Sequence, residues 1–140
     1  MDLRDYLQQP HRFRWGGING NDCMTFCARW IEHATGIDPI AHLRGSYSDA
    51  QGADRLIARA GGLVPLAANV LETRGFARTE SPRDGDVGIV MAPAGLAYEE
   101  VVVKEVAAIR FGKSWAVIGP GGVIAKRLSF IAAWSIEPHA

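Results

Sequence analysis

Cysteine is scarce in this chain: Cys23 and Cys27 are its two thiols. A disulfide scaffold needs more, and a structural zinc site needs about four ligands, so neither framework is expected. The two sit one helical turn apart with both side chains on one face, an awkward geometry for a mutual bond, and both read as free thiols. Long apolar runs are missing as well. None approaches about 18 residues, so no helix is expected to cross a membrane, and Met1-Asp2-Leu3-Arg4-Asp5-Tyr6 lacks the apolar core of a signal peptide. Synthesis and retention in the cytoplasm are the expectation. Nor does charge of one sign accumulate. Fifteen basic residues balance fifteen acidic ones without a block of either, which argues against nucleic acid or an anionic membrane surface as partner. A protein or a small molecule is the expected partner, and no metal or cofactor is implied.

What is present is enough for one compact domain over residues 1–140, since 48% of the residues are hydrophobic. The chain divides into an N-terminal extension (1–12), a helical half (13–75) and a strand-rich half (82–137), the α+β pattern. Asp2 to Gln8 reads as a short helix closed by Pro10. Asp22 to Ala34 reads as a longer one, capped by Asn21 or Asp22 and stopped at Gly36, with Cys23, Phe26, Cys27, Trp30 and Ile31 on one core-facing stripe. Ser48 or Asp49 caps a third helix running to Ala60, and Gly61-Gly62 precedes a fourth from about Val64 to Arg74. Beyond Pro82, β-branched runs separated by glycine predict about five antiparallel strands: Val87 to Met91, Val101 to Phe111, Trp115 to Ile118, Val123 to Lys126 and Ala133 to Ile136. Gly112-Lys113 and Gly119-Pro120-Gly121-Gly122 read as turns, so a small meander is the expected sheet.

The chemistry-bearing segment is Phe13 to Cys27, because it sets Cys23 on the first turn of a helix. The first amides of a helix lack intrahelical partners and carry the positive end of its dipole, which favours a thiolate. That effect is modest, roughly 0.3 to 1 kcal/mol, so with it alone about a tenth of Cys23 is expected to be ionised near neutrality. Cys27, one turn deeper, reads as core.

A cysteine-led helix packed on a following antiparallel sheet resembles the papain-like arrangement. The closer likeness is to the NlpC-type cell-wall peptidase fold, carried by Trp15-Gly16-Gly17, by Asp22-Cys23 with Phe26, and by Gly85-Asp86-Val87. Thr35-Gly36, Arg44-Gly45-Ser46-Tyr47, Gly119-Pro120 and Ala133-Trp134 resemble, in order, elements of a phage-encoded branch of that fold. The likeness runs from about Phe13 to Ile136. It implies Cys23 as candidate nucleophile with Asp22 beside it, and Trp15, Gly16, Gly17 and Tyr47 around a groove. Trp15 serves equally well as a lid on the core edge, and Arg44 with Tyr47 reads more readily as a polar turn anchored by a buried ring than as a ligand clamp.

Active members of the wider fold open the next strand with a histidine. The matching stretch, Val106 to Gly112, puts Val106 at that position, and the third polar position, near Ala116 or Ile118, is apolar too. A lone thiolate cannot protonate a leaving amine. His33 lies ten residues past Cys23 on the same expected helix, roughly 15 Å along its axis. His11, His42 and His139 read as surface or boundary residues. Three functions follow from the resemblance. One is a structural component of a phage tail tip or hub, partnered by other tail proteins and located in the virion. A second is an active cysteine peptidase or amidase acting on peptidoglycan through Cys23. The third is a module that holds a ligand or peptide in the vestigial groove. The degenerate histidine position favours the first, and Leu96 to Val103 is its expected apolar docking patch.

Overall fold

The computed structural model describes residues 1–94 and 102–137. His139 and most of the expected patch from Leu96 to Val103 lie outside them.

Helix α1 (Leu3–Gln8) starts where Asp2 caps it, its carboxylate accepting from the Asp5 amide at 2.8 Å. It is no extension. Tyr6 is 1% exposed within the core and its hydroxyl donates to the Phe26 carbonyl at 2.6 Å, so the first turn is bolted to the second helix. Helix α2 (Cys23–Thr35) is capped by Asp22, of the two residues that were open for the role, and closed by Gly36 in the left-handed conformation at φ +81°. Phe26, Cys27, Trp30 and Ile31 are buried along its inner stripe, and Cys23 is partly buried at its head. The Trp30 indole N–H reaches the Gly85 carbonyl at 2.8 Å, tying the helix to the turn before the first strand. A 3-10 turn, Ala41–Leu43, leads to α3 (Ala50–Arg59), capped by Asp49, and then to α4 (Leu63–Glu72), where Pro65 is tolerated because it falls in the first turn.

Five antiparallel strands follow: β1 (Val87–Ala94), β2 (Val102–Phe111), β3 (Ser114–Gly119), β4 (Gly122–Lys126) and β5 (Phe130–Trp134). Gly112-Lys113 and Pro120-Gly121 make the two tight hairpins between β2, β3 and β4, where Phe111 pairs Ser114 and Gly119 pairs Gly122. The order is β4-β3-β2-β1-β5, which corrects the simple meander. β5 pairs with β1 and not with β4, with a register shift between Ile89 and Val90. β1 thereby becomes an inner strand, in keeping with apolar residues on both its faces. β5 also begins and ends earlier than expected. Past Trp134 the backbone turns to other partners: the Ser135 amide bonds the Ala77 carbonyl and the Ile136 amide bonds the Asp86 carboxylate.

Alternation along the strands splits the sheet into two faces. Val87, Ile89, Ala107, Ile109, Ala116, Ile118, Ala132 and Trp134 pack with α2 and α4 in the main core. Each large apolar side chain buried there, such as Phe26, Ile31 or Leu71, contributes roughly 1.5 to 3 kcal/mol by leaving water. Val90, Ala92, Ala108, Trp115 and Ala133 form a second cluster on the opposite face. Gly88 is the reason Trp115 fits: a Cβ there would lie 2.8 Å from the indole, which is 0% exposed.

Candidate functional site

The head of α2 is built by the loop before it. Phe13 bridges Asn21, the Arg14 amide bonds the Asn21 carbonyl at 3.0 Å, and the Asn21 amide bonds the Arg12 carbonyl at 2.9 Å, closing residues 14–20 into a compact turn. Gly16 and Gly17 adopt φ +91° and +77°, a region that side chains resist. A Cβ on Gly16 would sit 2.2 Å from the Tyr47 carbonyl oxygen, so the double glycine lets two backbone segments touch. The Gly45 amide bonds the Gly16 carbonyl at 2.9 Å across this contact.

Asp22 is 0% exposed. One carboxylate oxygen accepts from the Thr25 amide at 2.9 Å; the other accepts from the Gly16 amide at 3.0 Å and the Tyr47 hydroxyl at 2.5 Å. Thr25 returns the bond, its hydroxyl accepting from the Asp22 amide at 2.9 Å, which completes a capping box. A buried carboxylate held by three donors is a structural clamp joining helix, glycine loop and the Tyr47 segment. Burial, then the Asp22 charge, pushes the Tyr47 hydroxyl well above the ordinary phenol range.

Cys23 follows Asp22 as the first helical residue, facing β2. Burial raises its thiol first, the Asp22 carboxylate raises it further, and the backbone amides of Ala107, Met24 and Cys23 itself pull the other way. The balance pushes it up to about 11. The helix-dipole expectation of a partly ionised thiol is therefore corrected, because desolvation and a neighbouring anion outweigh the amides. Cys27 lies deeper, buried at 5% exposure on the wall of an apolar cavity of about 60 Å³ between α2, α4 and the sheet, and its thiol is also raised by burial.

Val106 is not the residue opposite Cys23. The period of two along β2 turns Val106 to the outer face, against the Trp115 cluster, and presents Ala107 to the helix. Ala116 and Ile118 lie on the inner face, both buried. Trp15 is half-buried and stacks edge-on to Phe13 with centroids 5.1 Å apart. Tyr47 is buried beneath the glycine loop. Arg44 pairs with Asp38 at 2.7 Å, its side chain about nine-tenths buried, so the segment behaves as an anchored polar turn. Of the described histidines, two pack around Tyr6 and the third is exposed. His11 donates through Nε2 to the Tyr6 carbonyl and packs edge-on to Phe26, His33 lies 5.6 Å from the Tyr6 ring, and His42 is exposed on the 3-10 turn. None of the groups that shift the Cys23 thiol is an imidazole.

A sequence profile described as a domain of unknown function, DUF6950, matches residues 2–136, nearly the whole chain and both halves of the fold. The chain belongs to the DUF6950 family. No curated protein and no solved structure matches it. In this DUF6950 chain the elements around Cys23 can hold a partly buried sulfur at a helix head against a strand. Among the described residues no three His, Cys, Asp or Glu side chains converge as a metal site. Thr25, Asp38 and Ala107 are the site residues that sequence reasoning passed over. Thr25 had a readable signal, since a Thr three residues after an Asp cap matches the capping pattern.

Proposed function

We propose that this chain is a non-catalytic NlpC-like module that serves as a structural component of a phage tail tip or hub. The observation that carries the non-catalytic half is the Cys23 site: a thiol held at about 11, whose strand neighbour is the backbone and methyl group of Ala107. Amide hydrolysis needs a thiolate and a positioned acid for the leaving nitrogen. Here burial and Asp22 keep the sulfur protonated, and Asp22 is fully engaged as a cap. The tail assignment rests on the resemblance of Thr35-Gly36, the Arg44 to Tyr47 segment, Gly119-Pro120 and Ala133-Trp134 to phage-type relatives, with other tail proteins as partners and the virion as the place of action.

The experiment is a pair of variants in a particle that carries the protein. Cys23→Ala removes the sulfur and leaves the Asp22 clamp intact; particles are expected to assemble and infect as before. Trp30→Asp places a charge at a core position 7% exposed and removes the bond to Gly85; it is expected to unfold the domain and abolish assembly. Normal particles that lose infectivity with Cys23→Ala overturn the non-catalytic reading in favour of a peptidoglycan hydrolase. Normal particles that lack the protein altogether overturn the structural one.

A further inference from the structure

Arg55 and Arg59 stand one turn apart on the exposed side of α3. Like charges at this spacing repel, and the helix offers no relief. The positions three and four residues from either arginine, other than the two arginines themselves, are Gln51, Gly52, Leu56, Ala58, Gly62 and Leu63. Among the described residues, neither guanidinium meets a carboxylate within salt-bridge distance, whereas Arg29, Arg44 and Arg83 each do.

Both arginines line a groove of about 350 Å³ between α3 and the segment Ser46–Asp49. Its other polar groups divide into engaged and free. The Ser46 hydroxyl donates to the Leu43 carbonyl at 2.6 Å, and an Asp49 carboxylate oxygen accepts from the Gly52 amide at 2.7 Å. Ser48 and the two guanidinium groups have no hydrogen-bond partner among the described residues, and all three residues line the same opening. The floor is fixed. Gly52 lies against Tyr47, where an added Cβ would come within 2.9 Å of the Tyr47 Cβ, and Tyr47 is itself tied to Asp22. Two cations against the one carboxylate of Asp49 leave the groove net positive in a chain of zero net charge.

We propose that this groove binds an oxyanion ligand, one presenting phosphate or closely spaced carboxylate groups, gripped by the Arg55 and Arg59 forks with Ser48 as a further donor. Planar guanidinium forks suit two-point bonding to such groups. The groove lies on α3, and its occupancy is independent of the thiol chemistry of Cys23 and of any role in a particle.

Calorimetric titration of the full chain at fixed ionic strength tests this with two probes, pyrophosphate and a triglutamate peptide. At least one is expected to bind, and the double variant Arg55→Gln/Arg59→Gln is expected to weaken it at least about tenfold. Both arginines are exposed and repel each other, so the variant's melting temperature without ligand should be no lower than wild type. Arg83→Gln, which removes an exposed arginine at a distance from the groove, should bind like wild type. Tighter pyrophosphate assigns a phosphate ligand, and tighter triglutamate an acidic protein segment. Absence of binding by both probes, or binding that survives the double variant, overturns the proposal.

Discussion

Reaction of Cys23 with an aromatic disulfide reagent, followed from about pH 6 to about pH 11, reads its thiolate directly, because only the ionised sulfur attacks. The site holds the thiol at about 11 against an ordinary 9.0. Near pH 7 that difference of about two units lowers the thiolate fraction about a hundredfold relative to an unperturbed thiol. A more basic thiolate is intrinsically more nucleophilic, by about tenfold over two units at a Brønsted slope near 0.5, so the net expectation is about tenfold slower reaction than free cysteine. Partial burial of the sulfur slows it further. The rate should climb about tenfold per pH unit until close to pH 11, with the Cys23→Ala variant supplying the background from Cys27. A plateau near neutrality, or a rate at pH 7 faster than that of free cysteine, would refute the reasoning, because either requires a cation that stabilises the thiolate.

Other consequences follow from the same contacts. Tyr47→Phe removes one of three donors to a fully buried carboxylate and is expected to cost about 1 to 3 kcal/mol in urea denaturation, with no change in the neutral-pH disulfide reaction rate; a neutral result would show that Asp22 is not held by that bond. Gly88→Ala drives a methyl to 2.8 Å from the Trp115 ring and 2.9 Å from the Ala132 carbonyl, and should destabilise by about 1 to 3 kcal/mol, readable as a lower melting temperature. Alkaline pH should destabilise the fold. The Cys23 thiol ionises at about 11 when folded and near 9.0 when unfolded, so the stability present below about pH 9 is lost as pH rises toward 11, and Cys23→Ala should blunt that loss in alkaline melts.

The local elements were legible because punctuation and period agreed along the chain. Asp22 before an apolar stripe and Gly36 after it marked α2, Gly61-Gly62 marked the end of α3, and glycines marked the hairpins. Long-range facts were not. β5 carries the same kind of apolar run whether it extends a meander or crosses to β1, and nothing local distinguishes the two edges. The 1–12 segment has few apolar residues, yet Tyr6 finds Phe26 and locks it into the core. Val106 illustrates the limit most sharply. A slip of one residue flips a strand's faces, and Val106, Ala107, Ala108 and Ile109 are all apolar, so no alternation reveals which pair looks at Cys23. The faces are set by Trp115, which fills the outer side over Gly88. The helix dipole that favours the Cys23 thiolate is visible from sequence position, whereas the burial against β2 that outweighs it is a tertiary property.

Muropeptide analysis of purified peptidoglycan incubated with the full chain tests the central claim most directly. The account predicts a fragment profile identical to that with Cys23→Ala at neutral pH. New fragments released by the wild type and lost in Cys23→Ala would contradict it, and would require a proton donor at the head of α2 other than the groups described around Cys23.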